Sequence, residues 1–335
     1  MKVLFDHNLP FALAHGGLQT QVEQTRAALL GLGVEVEWLR WWDDQQRCDV
    51  IHHFGTASVA YLRQARAMGR PVVMTTLFTE TCNRTDARLV RQGWLVRCVL
   101  KLPFGEGLKE HLQWRAFGLC ARNVVGLEAE RRVLELVHGI EPRLVALVPL
   151  GLSETFLKAG QGSRAGAHLV STGTITPRKR TVELARLARA ARVPVLFAGK
   201  AYHESDPYWR KFQSLVDGEF VRHQPHVEGE AAMVELLRGA RGFVLMSTWE
   251  NWCLSAHEAA ACGLPVLLPD QKWSRERFGA EANYFTGDLA RDVDVLRRFH
   301  EACPKLPAPR VSIVSWIDAS RKLIAVYNEV LRTSR

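Results

Sequence analysis

Glu250 and Glu258 stand with seven residues between them, and three adjacent cations, Arg178, Lys179 and Arg180, precede them in the chain. Carboxylates accept hydrogen bonds from hydroxyls, and clustered cations neutralise phosphate. Ahead of Glu250, Gly242-Phe243-Val244-Leu245-Met246 is short and apolar enough for a buried strand. An Ala-rich segment from about Leu254 then reads as a helix, closed by Gly263 and Pro265. Its first N–H groups are open to an anion such as a diphosphate. With Pro265-Val266-Leu267-Leu268 as the next strand, this is a strand–loop–helix–strand unit, and in open parallel sheets ligands bind where such loops leave the strands. Two carboxylates beside anion-binding amides suit a ligand with both phosphate and hydroxyls. The three cations fall between the strand of His168–Gly173 and a helix carrying Val182, Leu184, Ala185, Leu187 and Ala188. There, charge and helix N-terminus act together on a pyrophosphate. The competing reading is a solvated loop Glu, a dipole-favoured helix Glu and a solvated charge run.

Further elements must position these groups. Lys2–Phe5 reads as a first strand, followed by a loop to His15-Gly16-Gly17 and a helix from Leu18. Val34–Leu39, Asp49–Phe54 and Arg70–Leu77 supply strand patterns, and the stretch 84–117 is helical and basic, with Trp94, Leu95, Val99 and Leu100 among its cations. A basic face beside an apolar one could rest on an anionic membrane, although a helix pair covering the first domain's sheet, with solvated basic residues, is the favoured reading of the pattern. Strands follow at Arg122–Gly126 and Leu144–Pro149. The polar run from Gly160 to Gly166 reads as a linker, Val193–Lys200 as a buried strand ending in Gly199, and Asp292-Val293-Asp294 as helix surface.

The motifs together resemble the family 4 retaining glycosyltransferases, with strong likeness over positions 168 to 268 and patchy likeness before 150. Glu250 and Glu258 match that family's E-x7-E motif, and Ser247 with Glu258-Ala-Ala-Ala-Cys-Gly-Leu-Pro-Val resembles the surrounding signature. The resemblance implies an α/β fold of the GT-B type, two Rossmann-like doubly wound domains facing a cleft. The expected division is an acceptor-binding domain over 1–152, a nucleotide-sugar-binding domain over 153–312, and a C-terminal helix over 313–335 that crosses back. By the same resemblance Glu258 holds the ribose, Glu250 lies by the transferred sugar, and Lys179 neutralises the donor diphosphate. Glu250 and Lys179 are thus the catalytic candidates. The donor side is completed by Gly16, Gly17, Gly173, Thr174, Arg178, Arg180 and Gly199, and by the loop and helix start Asn251, Trp252, Cys253, Leu254 and Ser255. His52, His53 and Thr76 fall on the sugar and acceptor side.

The chain also departs from the family pattern. Leu77 stands where a His is usual, Thr174 where an Arg is usual, and Asn251-Trp252-Cys253 replaces Gly-Phe-Gly. Trp273-Ser274-Arg275-Glu276 occupies the place of a glycine-rich loop. A non-catalytic nucleotide-sugar-binding or scaffold protein of this fold, or a sugar phosphorylase or epimerase, is therefore the alternative to a transferase.

The 335 residues exceed one ordinary core and predict two domains. No apolar run reaches the roughly 18 residues of a membrane span, and Met1–Asp6 turns polar too early for a signal peptide. Seven scattered cysteines form neither a metal pattern nor a disulfide framework, which predicts a reducing, cytoplasmic setting. The net charge of +9 favours anionic partners, among them a lipid surface at the inner membrane face. Without a zinc finger, an RNA-recognition signature or a lysine-rich tail, nucleic acid is not expected. The expected protein is a metal-independent transferase of polysaccharide biosynthesis. It would use no cofactor, a nucleotide diphosphate sugar as co-substrate, and a glycan, lipid-linked or small-molecule acceptor.

Overall fold

The computed structural model describes residues 1–8, 10–12, 16–103, 105–160, 162, 166–225 and 227–333. They form two compact units, Met1–Gly151 with the C-terminal stretch from Trp316, and Leu152–Ser315. Each unit is a parallel six-stranded sheet with flanking helices, and the fold is GT-B.

In the first unit the strands are β1 (Lys2–His7), β2 (Glu35–Trp38), β3 (Val50–Phe54), β4 (Val72–Thr75), β5 (Arg122–Val125) and β6 (Val145–Leu147). They lie in the order β2-β1-β3-β4-β5-β6. β3 and β4 are buried at every position, as parallel strands covered on both faces must be. The C-terminal helix Trp316–Thr333 lies beside helix Gly17–Gly31, and its Leu323, Val326, Tyr327 and Val330 join the core of Val3, Phe5, Val22 and Leu29. The opposite sheet face buries Leu4, Ile51, Val72 and Met74 against helix Val59–Ala67, which the sequence pattern had not marked.

In the second unit the strands are β7 (Leu169–Thr172), β8 (Val195–Ala198), β9 (Val221–Gln224), β10 (Gly242–Val244), β11 (Val266–Pro269) and β12 (Asn283–Phe285), in the order β12-β11-β10-β7-β8-β9. β7 runs to β8 and β9 on one side, while β10 returns to its other side. The strand order therefore reverses between β7 and β10, and loops leaving these two strands border a crevice.

Three expectations change. The run from Gly160 to Gly166 lies inside the second unit, not at its boundary. Of it, Gln161, Ser163, Arg164 and Ala165 are outside the described residues, as is His15 of the early Gly-Gly loop. A Cβ at Gly162 would sit 2.6 Å from the Arg238 carbonyl oxygen, and one at Gly166 2.0 Å from that of Gly239. These glycines permit close packing; they do not make a free linker. Asp292 is not surface: it is fully buried in helix Leu289–Ala302 and accepts from the amide and hydroxyl of Thr286 at 2.6 and 2.7 Å, while Asp294 is exposed. Trp273–Glu276 belongs to a helix, Lys272–Phe278, with Trp273 fully buried.

Candidate functional site

Apolar runs ending in small and polar residues carry the chain to the crevice of the second unit. β7 delivers Gly173, whose φ of 138° favours glycine. A Cβ there would lie 3.5 Å from the Lys179 side chain, and a Cβ at Gly199, at the end of β8, would fall 2.0 Å from the Gly173 carbonyl oxygen. The two glycines keep the floor beneath Lys179 low. Thr174 follows half-buried, and the short helical turn Pro177–Lys179 presents the cations. Arg180 takes a left-handed φ of 52° and starts helix Thr181–Ala191.

Glu250 enters the same crevice from β10. Its Oε1 lies 2.6 Å from Lys179 Nζ and 3.0 Å from an Arg178 guanidinium nitrogen. Arg178 also donates to the Trp249 carbonyl at 2.6 Å, and the Thr248 amide donates to the Arg178 carbonyl at 2.9 Å. The two loops are thereby stitched together. Burial pushes the Glu250 carboxyl up, but the charges of Lys179 and Arg178 outweigh it and hold the group below its ordinary value.

Helix Leu254–Ala261 begins immediately beyond. The Cys253 carbonyl accepts from the amides of Ala256 and His257 at 3.1 and 3.3 Å, which leaves those of Leu254 and Ser255 without an intrahelical acceptor. The side chain of Glu258, half-buried on this helix, makes no hydrogen bond or ion pair among the described residues. Burial, reinforced by the Glu230 carboxylate and opposed by Lys179, pushes it up to about 7. The crevice thus holds one carboxylate locked in its charged form and a second poised near neutrality.

The Asn251-Trp252-Cys253 departure also has a structural basis. Cys253 adopts the left-handed conformation, φ 60° and ψ 60°, usually given to glycine. Trp252 fills the loop. Its ring stacks on His257 at 5.3 Å with an 11° interplanar angle, and Arg277 lies over the indole at 3.7 Å. Burial, with the Arg277 charge adding to it, lowers His257 to about 4, so the ring under Trp252 is neutral at neutral pH. Arg277 and Glu230 belong to other helices, and no local pattern in the sequence connects them to this loop.

The residues assigned to the sugar and acceptor side behave differently. His52, 1% exposed, engages both ring nitrogens, Nδ1 with the Tyr327 hydroxyl at 2.6 Å and Nε2 with the Thr75 hydroxyl at 2.7 Å. Burial lowers it to about 3. His53 on the opposite face meets Asp6 at 3.2 Å and Asn8 at 2.6 Å. Consecutive strand residues point to opposite faces, and both faces of β3 are covered. The Thr76 hydroxyl is buried with no partner among the described residues. Both histidines thus have their ring nitrogens engaged by protein groups, whereas the Thr76 hydroxyl does not. Gly16, at φ 127°, precedes helix Gly17–Gly31, and a Cβ at Gly17 would meet nothing within 4 Å.

No group of three or more His, Cys, Asp or Glu that could hold a metal occurs among the described residues, and no helix there is long and apolar enough to cross a membrane.

The crevice elements, from β7 through β12, coincide with a known sequence family. Residues 166–290 match the family model of Glycosyl transferases group 1. The matched stretch contains Lys179, Glu250 and Glu258, and leaves the first unit unmatched. Solved structures are similar over the full length. AviGT4, a glycosyltransferase involved in Avilamycin A biosynthesis, is 17% identical with a TM-score of 0.63, over 99% of this chain and 98% of its own. Sucrose-phosphate synthase from Thermosynechococcus elongatus is 14% identical with a TM-score of 0.67, over 99% and 100%. Anabaena HepE in complex with UDP-glucose is 14% identical with a TM-score of 0.64, over 99% of each chain. At such identities the likeness establishes the fold. No curated protein matches the chain.

Proposed function

We propose that the chain is a retaining glycosyltransferase that moves a sugar from a nucleotide diphosphate sugar to a glycan or lipid-linked acceptor without a metal. The observation that carries this reading is the ion pair of Lys179 and Arg178 with Glu250, set beside the free amides of Leu254 and Ser255. Departure of a nucleoside diphosphate leaves negative charge on phosphate and positive charge on the sugar. Lys179, Arg178 and the helix amides face the first charge, and Glu250, its carboxyl held below the ordinary value by those cations, the second. Glu258, without a protein partner, is available to accept from the ribose hydroxyls. The HepE structure holds UDP-glucose, which favours a UDP-sugar as the first donor to test.

Thermal-shift and product assays with UDP-, GDP- and ADP-sugars test the proposal on the wild type, Glu258→Ala and Lys179→Ala. One nucleotide should raise the melting temperature of the wild type, since a ligand at about 100 times its Kd adds about 2.7 kcal/mol. The gain should vanish in both variants, and slow donor hydrolysis should accompany it. If no nucleotide sugar stabilises the wild type, the proposal fails.

A further inference from the structure

Helix Asp86–Lys101 in the first unit carries more apolar surface than its packing uses. Leu89, Gly93 and Val96, at three- and four-residue spacing, form its buried face. A Cβ at Gly93 would fall 2.1 Å from the Leu136 carbonyl oxygen, so the inner face meets helix Glu128–Leu136 at backbone contact. Asp86 pairs with Arg132 and ties down the N-terminus. On the outer side, Val90, Trp94 and Leu95 remain 48%, 59% and 51% exposed. Three large apolar groups on neighbouring turns form a patch that folding of this unit does not require.

The charges around this patch have one sign. No Asp or Glu occurs between Asp86 and Glu106, whereas Arg88, Arg91, Arg97 and Lys101 all do. These four cations are exposed and pair with no carboxylate among the described residues. Other surface arginines do pair within a turn, as Arg131 does with Glu128, Arg297 with Asp294 and Arg321 with Asp318. Unpaired cations flanking Trp, Leu and Val demand a partner that is both negatively charged and apolar just beneath its charge.

We propose that this face docks on an anionic lipid bilayer, Trp94, Leu95 and Val90 entering the headgroup boundary while Arg91, Arg97 and Lys101 meet lipid phosphates. A soluble polyanion would satisfy the cations but leave the three apolar side chains unused. The proposal is independent of the transferase reading.

The test is flotation of the full chain with vesicles of phosphatidylcholine alone and with about one quarter phosphatidylglycerol. Binding should require the anionic lipid and weaken with salt. Arg91→Gln/Lys101→Gln should cut it about 25-fold, at about fivefold per cation. Trp94→Ser should cut it about tenfold, with unfolding midpoints unchanged because these side chains are exposed. A fluorophore on Cys98, the exposed cysteine of this helix, should shift to the blue on binding. Equal binding to neutral vesicles, wild-type binding by the variants, or full competition by heparin with no shift at Cys98 would each overturn the assignment.

Discussion

Lys179 Nζ lies 2.6 Å from Glu250 Oε1, joining the loop after β7 to the loop after β10 across the point where the strand order reverses. Both side chains are about nine-tenths buried. Removing one partner leaves a buried charge, so Lys179→Met should destabilise the second unit by about 3 kcal/mol. The double variant Lys179→Met/Glu250→Gln should regain most of that stability and no turnover. The sign with pH follows from the lowered Glu250 carboxyl. Its stabilisation is present above the ordinary carboxylate value of 4.5 and is lost as pH falls through the lower folded value. Denaturant titrations of the three proteins at several pH values measure both effects, and a double variant as unstable as Lys179→Met would refute the pairing.

Glu258 carries the opposite sign. Its folded value, about 7, lies above the ordinary 4.5, so its contribution to stability is greatest in acid and is lost as pH rises through about 7. Glu258→Gln should therefore be more stable than the wild type at alkaline pH, by on the order of 1–2 kcal/mol, while losing nucleotide affinity. A carboxylate that must accept from hydroxyls binds best when ionised. Nucleotide affinity should rise with pH through about 7 in the wild type and be flat in Glu258→Gln. Glu230→Gln should move the midpoint downward, because a neighbouring negative charge has been removed. Calorimetric titration on either side of neutrality decides the matter.

The left-handed backbone at Cys253 makes a separate prediction about strain. Cys253→Ala keeps the Cβ and its penalty, whereas Cys253→Gly removes it. The glycine variant should be more stable than the alanine variant by about 1 kcal/mol, a comparison in which loss of the buried thiol is common to both. Equal unfolding midpoints would show that the loop relaxes out of this conformation.

Tyr327 reaches from the C-terminal helix to His52 on β3. Tyr327→Phe leaves a buried imidazole nitrogen unpaired and should cost about 1–3 kcal/mol, read in the unfolding of the first unit. Turnover per folded molecule should stay unchanged, since both side chains are buried and paired inside the first unit. A loss of activity without a loss of stability would return His52 to the substrate.

The sequence alone determined the parallel α/β architecture, because runs such as Val3-Leu4-Phe5 and Val266-Leu267-Leu268 are apolar at consecutive positions and must be covered on both faces. It also located the helix start at Leu254, where a polar loop precedes an Ala-rich run closed by Gly263, and it singled out Glu250, Glu258 and Lys179 by residue type. The tertiary structure decided what each side chain meets. The Asp at 292 reads as surface by type yet is buried by the turn it holds, and the partners that enclose His52 and His53, Tyr327 and Asp6 among them, are brought to them only by the folded sheet. The approach of Glu230 to Glu258 and of Arg277 to Trp252 joins residues on separate helices. Periodicity records which face a residue occupies; the distance between two faces is set only when the sheet order brings their strands together.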